Sequence, residues 1–363
     1  MTKTIFVTTT IHIPTFLTAY ALDAERYGHQ DVSFIVIGDK KSPTETADFC
    51  ETIPNCIYMD VNDQEIYMAE FPELWAHIPY NSFERRNIGI LRAYEEGADV
   101  MITIDDDNLL AAEDVVAWHG VRTTFRLPIY RSSSGWFNVC SMLREQNGVE
   151  FYHRGYSPRN KWDKSAYIDS QNHNARVVAN AGLWYNNPDT DAVTRLERKL
   201  NVVGFGGDMD KIQDGTFGLA PGTWSPFNCQ NTALAREVVP AYFMSPYIGR
   251  HSDIFASYVI ARLAEHFGDI ISFGMPLANH ARDTYPHSLL HDFDIERWGI
   301  QNTDFFCDAL RGMTLTAKTY HEGFGQIIEQ LKEITWPGGI GVTEGYEMVQ
   351  GMQIWHDVFK RII

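Results

Sequence analysis

Three consecutive aspartates follow a short apolar run near residue 100. Met101 to Ile104 has the composition of a buried parallel strand. Asp105, Asp106 and Asp107 stand where that strand should end. Adjacent carboxylates repel one another and lose hydration on burial, so a fold that keeps them together needs a cation there. The pattern predicts a divalent metal held by one or two of these carboxylates beside a phosphorylated substrate, and the alternative is an acidic loop exposed to water.

The strand and helix patterns before the three aspartates indicate where the fold places them. Ile5 to Thr9, Val32 to Ile37 and Cys56 to Met59 are expected to be strands, and Pro14 and Gly28 mark the expected start and end of a helix between the first two. Strands that alternate with helices are typical of a parallel sheet. Ligands of such sheets bind outside the carboxyl ends of the strands, which is where the three aspartates are expected.

The rest of the chain has three parts. Residues 128–235 are rich in Gly, Asn, Asp, Pro and aromatic residues, which indicates functional loops or short strands of a mixed sheet. Ser252 is expected to cap a helix that begins at Asp253, and Ile270 to Phe273 returns as a strand. The end of the chain has a mainly helical pattern. We therefore predict a catalytic domain over residues 1–298 and a mainly helical segment over 299–363 that packs on it.

Composition and charge exclude several classes of protein. The 363 residues are 44% hydrophobic and carry a formal net charge of -17, which argues against nonspecific binding to nucleic acid or to an anionic membrane surface. No segment reaches the length of apolar sequence that spans a bilayer, and the N-terminus lacks a signal-peptide core. The five cysteines show no zinc or disulfide pattern. A cytoplasmic protein is expected, and a homo-oligomer is compatible with the sequence.

Four blocks of sequence match a known family in order and spacing. The matching positions are Arg86–Gly89 with Thr103–Asp107, then Gly182–Trp184, Asn186, Pro188, Asp189, Asp191, Ala192, Thr194 and Leu196, then Gly222, Thr223, Pro226, Asn231, Gly249, Arg250 and Asp253, and last His280, Arg282 and Pro286. In these blocks the chain resembles the reversibly glycosylated polypeptides, also known as UDP-arabinopyranose mutases. The resemblance implies a GT-A-like (Rossmann-like) α/β fold, with a mixed, mostly parallel sheet flanked by helices. It also implies a nucleoside-diphosphate sugar, most simply a UDP-sugar, as donor.

The resemblance implies a role for each acid and for one histidine. Asp105 is expected on the ribose side of the donor, and Asp107, with Asp105 and His280, is expected to hold the metal. A histidine beside carboxylate and phosphate oxygens suits Mn²⁺, and Mg²⁺ is the other candidate. Asp253, in the first turn of its helix, is expected to act as the catalytic base, and helix capping is the alternative.

The remaining expected site residues are cationic, aromatic or amides. Arg86, Arg250 and Arg282 are predicted to face the diphosphate, because guanidinium groups bond bidentately to such oxygens. Arg159 matches the arginine that the family glycosylates on itself, and it is predicted to be catalytic. The other predicted donor-binding residues are Asp106, Trp184, Asn186 and Asn231; ordinary core packing is the alternative for Trp184, and pairing with Asp253 is the alternative for Arg250.

Two departures from the family affect the expected reaction. The segment from Tyr156 to Arg159 is two residues shorter than in the family, and Asn228-Cys229-Gln230-Asn231 replaces a run that contains glycine. Both changes lie near the expected sugar and acceptor, so we predict transfer of the sugar to a separate acceptor, whose identity the sequence does not define. The alternatives are a nucleotide-sugar mutase and a self-glycosylated protein. A nucleotidyltransferase would need a glycine-rich basic loop, which Thr8 to His12 is not.

Overall fold

The structure is a computed structural model that describes residues 2–163, 166–206, 215–280, 286–337 and 342–363. A sheet of twelve strands runs through these residues. The strands are β1 (Thr4–Thr9), β2 (Val32–Ile37), β3 (Cys56–Met59), β4 (Val100–Ile104), β5 (Asn108–Leu110), β6 (Thr124–Ser132), β7 (Leu143–Glu145), β8 (Ile168–Asn186), β9 (Val202–Phe205), β10 (Thr216–Leu219), β11 (Asn231–Ala235) and β12 (Ile270–His280).

Helices separate and follow these strands. They are α1 (Leu17–Arg26), α2 (Glu45–Glu51), α3 (Val61–Met68), α4 (Pro72–His77), α5 (Arg86–Glu95), α6 (Val115–Trp118), α7 (Pro158–Lys161), α8 (Ala192–Glu197), α9 (Ser252–Phe267), α10 (Pro286–Gly312), α11 (Tyr320–Lys332) and α12 (Val342–Ile362). None of the helices in the described part of the chain combines the length and the apolar composition that crossing a bilayer requires.

The N-terminal part of the sheet is parallel, as predicted. Its strand order is β3-β2-β1-β4, and every neighbouring pair in it runs in the same direction. Strand β1 lies in the middle, with Thr9 opposite Ile37 of β2 and Val7 opposite Thr103 of β4. The chain order reverses between β1 and β4, which makes the carboxyl ends of these strands the expected ligand edge.

The second part of the sheet is mixed. Strand β11 runs antiparallel to β4 and to β8, whereas β8 also runs parallel to β12. The 19-residue β8 pairs with β6 through its first half and with β11 and β12 through its second half. The predicted fold class, a mixed α/β sheet flanked by helices, is confirmed, and the parallel pairs are concentrated in its N-terminal part.

Helix α5 packs closely on the parallel strands and positions the acidic edge, which is formed by Asp105, Asp106 and Asp107 after β4. Ile88 and Leu91 are buried on its inner side. Gly89 lies against the side chains of Val7 and Ile37, and a Cβ there would approach them to 2.7 and 2.9 Å. Glycine therefore allows the helix to approach β1 and β2, so that the first residue of α5 lies close to the end of β4.

Two predicted boundaries differ from the structure. Helix α1 begins at Leu17 and not at Pro14, because Pro14 and the next two residues form a turn in which the carbonyl of Pro14 accepts a hydrogen bond from Leu17. Ser252 is the first residue of α9 and not its cap, since its hydroxyl donates to Glu84 instead.

The mainly helical end of the chain is confirmed by α10 to α12. The predicted domain boundary at residue 298 lies within α10, and the division into two units stays a prediction.

Candidate functional site

A cleft of about 240 Å³ opens at the carboxyl ends of β1, β2 and β4. The acidic triplet forms one side of this cleft, and the segment before α5 forms another. The described residues that line it are Thr9, Thr10, Ile11, Ile37, Gly38, Asp39, Asn81, Ser82, Phe83, Arg85, Arg86, Asp105, Asp106 and Asp107. The structure therefore places the triplet at a ligand-sized opening on the edge of the sheet where the sequence predicted it.

Asp105 is held by the buried guanidinium of Arg86. Nη2 of Arg86 donates to Oδ1 of Asp105 over 2.5 Å, while Nη1 donates to the carbonyl oxygen of Cys229 over 2.9 Å. The main-chain N–H of Asp105 donates to the carbonyl of Gln230 over 3.0 Å. These bonds fix the position of Asp105 between α5 and the segment before β11. Arg86 lines the cleft as predicted. One of its terminal nitrogens, Nη2, is already hydrogen-bonded to Asp105.

Asp106 turns toward the end of β1. Its Oδ2 accepts a hydrogen bond from the hydroxyl of Thr10 over 2.7 Å. Burial raises the pKa of Asp106, the hydrogen bond from Thr10 opposes this effect, and the charges of Asp105 and Asp107 add to it. This hydrogen bond therefore connects the residue after β1 to the acidic triplet after β4.

Asp107 meets His280, the last residue of β12, at the far end of the triplet. Oδ2 of Asp107 lies 3.2 Å from Nε2 of His280, and Nδ1 of His280 lies 2.7 Å from the carbonyl oxygen of Asn187. A carbonyl oxygen only accepts hydrogen bonds, so Nδ1 carries a proton and the neutral ring presents a lone pair at Nε2. Two acceptor atoms then face each other, and their contact requires a proton or a metal ion between them.

The Asp107–His280 pair fits a divalent metal. A metal-binding histidine commonly donates its second ring N–H to a carbonyl, as His280 does. Burial alone would lower the pKa of His280, but the hydrogen bond and charge of Asp107 raise it above its usual value. The structure brings together Asp107 and His280 but not the predicted third ligand, Asp105, and no three His, Cys, Asp or Glu side chains cluster for a metal among the described residues. The physical reason is that Asp105 is bonded to Arg86 instead.

Asp253 belongs to a buried ion cluster with Arg154 and Asp189. Arg154, only 4% exposed, donates to Asp253 over 3.1 and 3.3 Å and to Asp189 over 2.8 and 2.9 Å. The main-chain N–H groups of Cys229 and Ile254 also donate to Asp253. Burial alone would raise the pKa of Asp189, but the charge and hydrogen bonds of Arg154 lower it well below its usual range. The role of general base predicted for Asp253 does not fit this position, because four donors already occupy its carboxylate.

Arg250 forms a second ion cluster with α10. Its Nη1 lies 2.8 Å from Asp292 and its Nε lies 3.1 Å from Glu296. Glu296 also accepts the main-chain N–H of Ala192, the first residue of α8, over 2.6 Å. Both predicted roles of Arg250 are therefore corrected: it neither pairs with Asp253 nor lines the cleft among the described residues, because the carboxylates of α10 bind it.

Arg159 lies on the surface. Its side chain is 60% exposed and Nη2 donates to Asp308 of α10 over 2.6 Å, while its main-chain N–H donates to Asp304 over 3.0 Å. The structure does not bring Arg159 to the cleft, because α7 holds it against α10. The predicted catalytic position of Arg159 is therefore corrected. Arg282, also predicted to face phosphate, lies outside the described residues.

The three predicted pocket residues of β8 and β11 have different positions. Trp184 is 1% exposed and packs 5.1 Å from the ring of His153, so the core alternative describes it better than a sugar-lining role. Asn231 is buried, and its Oδ1 lies 2.8 Å from Nε2 of His119. Asn186 is exposed at the end of β8 with a φ of 62°, and its amide donates to Asn279. None of the three borders the cleft among its described lining residues.

Some residues of the site and of the ion clusters have no local signal in the sequence, because their partners lie far away in the chain. Arg154 and Asp189 stand in family-like segments, but no local pattern indicates that they form an ion pair 35 residues apart. Asp39 and Ser82 line the cleft, and the main-chain N–H of Ser82 donates to Asp39 over 3.3 Å. The position of Asp39, two residues after the end of β2, was the available signal, because that is the ligand edge of a parallel sheet.

Comparison with known proteins relates the chain to one group of enzymes by sequence. No family model matches it. It is 26% identical over 201 residues to UDP-arabinopyranose mutase 3 of Arabidopsis thaliana, which is 53% of each protein. It is 27% identical over 190 residues to the probable UDP-arabinopyranose mutase 1 of Pisum sativum, 49% of each. The chain thus spans about half the length of the curated relatives that it matches.

Solved structures give weaker similarity. Glucosyl-3-phosphoglycerate synthase from Mycobacterium tuberculosis, in complex with Mn²⁺, UDP-glucose and phosphoglyceric acid, has a TM-score of 0.45 and 11% identity over 85% of this chain and 80% of that one. Mannosyl-3-phosphoglycerate synthase from Rubrobacter xylanophilus has a TM-score of 0.42 and 9% identity over 87% and 78%. The resemblance to the UDP-arabinopyranose mutases predicted from the sequence blocks is confirmed by the curated relatives, over about half of the chain.

Proposed function

We propose that this chain is an enzyme that binds a UDP-sugar in the cleft and transfers the sugar to an acceptor with the help of Mn²⁺ or Mg²⁺. The observation that carries the proposal is the Asp107–His280 pair, which lies at one end of an acidic edge that borders the cleft. The names of the sequence relatives support a UDP-sugar as the donor class.

Charge explains why a metal belongs at this edge. A nucleoside diphosphate is an anion, and the protein carries a formal net charge of -17. Four carboxylates border the cleft, those of Asp39, Asp105, Asp106 and Asp107. Among its described lining residues, the guanidinium of Arg86 is already bonded to Asp105 and that of Arg85 to Gln64. A divalent ion held by Asp107 and His280 would provide the missing positive charge. When bound, such an ion neutralises the charge that develops on the departing nucleoside diphosphate.

The two other carboxylates of the triplet have separate roles in this proposal. Arg86 holds Oδ1 of Asp105 and leaves its second oxygen to accept a ribose hydroxyl of the donor. Asp106 supports the edge of β1 through Thr10 and need not contact the donor. The nucleoside would then lie between the ends of β1 and β2, beside Asp39, with its diphosphate directed toward Asp107.

A mutase that interconverts the pyranose and furanose forms of one UDP-sugar is the second candidate, and the names of the relatives favour it. The positions of two arginines favour transfer. Arg159 is exposed and bonded to Asp308, while Arg154 in the same segment is bonded to Asp189 and Asp253. Neither guanidinium is presented to the cleft, so neither is placed to carry a sugar during isomerisation.

A thermal-shift screen of nucleotides tests the donor class. UDP, ADP, GDP, UMP and UDP-sugars are each added with Mn²⁺, with Mg²⁺ or with a chelator. We expect UDP and UDP-sugars to raise the melting temperature only when a divalent ion is present. A ligand at about 100 times its Kd adds about 2.7 kcal/mol to the free energy of unfolding, which this assay detects. Equal shifts with all nucleotides, or no shift with any of them, would refute the assignment.

The acceptor, the cytoplasmic location and a homo-oligomeric state stay predictions. The acceptor would approach the metal side of the cleft, near the ends of β8 and β12, because the transferred sugar extends beyond the diphosphate. Candidate acceptors can be screened by measuring the release of UDP, and we expect release above the rate of donor hydrolysis only with a true acceptor.

A further inference from the structure

The first half of β8 is an edge strand. From Ile168 to Arg176 it pairs antiparallel with β6 in a continuous register. The strands β9, β11 and β12 pair with the second half of β8, from Val177 onward. Over the nine residues from Ile168 to Arg176, the other side of β8 therefore has no neighbouring strand among the described residues.

The hydrogen bonds at the two ends of the β6–β8 pairing show which way the main-chain groups of β8 point. The N–H of Ser133 donates to the carbonyl of Tyr167 over 2.9 Å, and the N–H of Val177 donates to the carbonyl of Thr123 over 3.1 Å. In an antiparallel pair, residues that bond to the partner strand alternate with residues whose N–H and C=O point away from it. The odd-numbered residues of this half of β8 therefore bond to β6, and the even-numbered ones direct their main-chain groups outward.

The outward main-chain groups have no hydrogen-bond partner within the described residues. They belong to Ile168, Ser170, Asn172, Asn174 and Arg176. Pro128 of β6 agrees with this assignment, because it has no N–H to donate and lies opposite Asn172. Folded proteins commonly protect such an edge with lysine, proline or a bulge. Residues 168–176 contain neither lysine nor proline, and the guanidinium of Arg176 is bonded to Asp269 and Glu237 of its own chain.

We propose that this edge is a dimer interface, at which β8 pairs antiparallel with β8 of a second copy of the chain across a two-fold axis at Asn172. Each outward residue then meets another outward residue. Asn172 lies opposite Asn172 of the partner subunit, Ser170 opposite Asn174 of the partner subunit, and Ile168 opposite Arg176 of the partner subunit. The free N–H and C=O groups of all five positions are bonded in this register, and the two sheets become continuous.

The side chains of the edge suit a second copy of the same chain. The outward residues share one face of the strand, where the hydroxyl of Ser170 and the amides of Asn172 and Asn174 can bond across the pairing. Asp169, the one carboxylate of the segment, lies opposite Ala175 of the partner subunit. Like charges therefore do not face each other at the edge, although each chain carries a formal net charge of -17. A two-fold contact uses the same surface on both chains and closes the assembly at two.

Engineered cysteines in the full chain test the register. Opposite residues that bond to each other in an antiparallel pair have Cα atoms about 5.5 Å apart, which a disulfide spans. N172C should therefore link two chains under mild oxidation. H173C is the matched control, because the two copies of His173 would be offset by two residues and lie more than about 7 Å apart. Non-reducing electrophoresis against wild type measures the linked chains. No link in N172C, or an equal link in H173C, would overturn the proposed register.

Sedimentation velocity of charge variants tests whether this pairing holds the dimer together. We expect wild type to sediment as a dimer at micromolar concentration. N172D and N172K should each raise the dissociation constant by at least about tenfold, because two like charges then face each other. H173K should remain a dimer, since its lysine lies opposite Gln171 of the partner subunit.

Mixing the two charge variants separates a lost contact from a misfolded chain. An equimolar mixture of N172D and N172K should form dimers again, because opposite charges then face each other at the two-fold axis, whereas misfolded chains would not recover. A monomeric wild type, dimers that N172D and N172K leave intact, or a mixture that stays monomeric would overturn the proposal. The result does not depend on the proposed function, since neither experiment uses a nucleotide or a metal.

Discussion

Oδ2 of Asp107 lies 3.2 Å from Nε2 of His280, although 173 residues separate them in the chain. Asp107 follows β4 and His280 ends β12, so the pair joins the parallel part of the sheet to the mixed part. The contact closes one end of the acidic edge, and the bond from His280 to the carbonyl of Asn187 directs its Nε2 there. This relationship is the basis of the metal assignment.

Replacing His280 by alanine should weaken metal binding without unfolding the protein. The metal would lose one of its two proposed protein ligands, and we expect the affinity for Mn²⁺ in the presence of UDP to fall by about tenfold or more, which is at least about 1.4 kcal/mol. Electron paramagnetic resonance of free Mn²⁺ measures this affinity directly. An H266A variant serves as control, because His266 bonds to the carbonyl of Ala317. Equal Mn²⁺ affinities in H280A and H266A would contradict the prediction.

Arg154 and Arg159 should differ strongly in their contribution to stability. R154M leaves Asp189 and Asp253 buried without their shared cation, and we expect the free energy of unfolding to fall by about 3 to 5 kcal/mol. R159M removes an exposed ion pair, which typically contributes less than about 1 kcal/mol. Urea denaturation of both variants is the measurement. Similar losses in the two variants would show that the buried cluster does not stabilise the fold as described.

Glu84 should make stability depend on pH near neutrality. Burial raises its pKa from 4.5 to about 7, the nearby charge of Asp253 adds to this, and hydrogen bonds from Ser82 and Ser252 oppose it. The folded state therefore holds the proton more tightly than the unfolded chain. This contribution is fully present below a pH of about 4.5 and is lost as the pH rises through about 7, with a total of about 3 kcal/mol.

The variant E84Q tests that assignment. Glutamine cannot ionise, so the free energy of unfolding of E84Q should fall less between about pH 5 and pH 8 than that of wild type, by an amount on the order of 3 kcal/mol. E329Q is the matched control, since Glu329 is exposed on α11 and should leave the wild-type pH dependence unchanged. Parallel pH curves for wild type and E84Q would show that Glu84 does not titrate in this range.

The reaction should be transfer and not ring isomerisation. Incubation of UDP-arabinopyranose with the protein and Mn²⁺ should give no furanose product, because neither Arg154 nor Arg159 faces the cleft. R159A should bind UDP with wild-type affinity, since Arg159 is bonded to Asp308 on the surface. Chromatography of the sugar nucleotide is the measurement. A furanose form at a constant ratio, lost in R159A, would instead establish the mutase.

The parallel strands were predictable because their signals are local. Strands β2 and β3 have the predicted bounds, since each is a short apolar run that lies between turn residues. The position of the three aspartates at the end of β4 was predictable for the same reason, because the apolar run before them is a local strand signal. The pairing of β8 with β6 was not predictable, because the first half of β8 is polar and exposed and its partner is distant.

The candidate site was predictable only where single positions carry the chemistry. Asp105 and Asp107 follow from a strand end, whereas His280 was identified through family resemblance and is confirmed here only as the partner of Asp107. The buried partners of Arg154 and Arg250 depend on contacts between distant segments, for which the sequence has no local signal. For that reason Asp253 was expected to be a free base and is an ion-paired carboxylate.

Calorimetric titration of UDP into wild type, D107A and D106N, each with Mn²⁺ or with a chelator, tests the central claim most directly. D106N is the matched neighbour, because Asp106 bonds to Thr10 and is not assigned to the metal. We predict that wild type and D106N bind UDP with Mn²⁺ and lose at least about tenfold in affinity with the chelator, whereas D107A binds weakly in both conditions. An affinity of D107A that equals wild type and still depends on Mn²⁺ would contradict the assignment of the metal to Asp107.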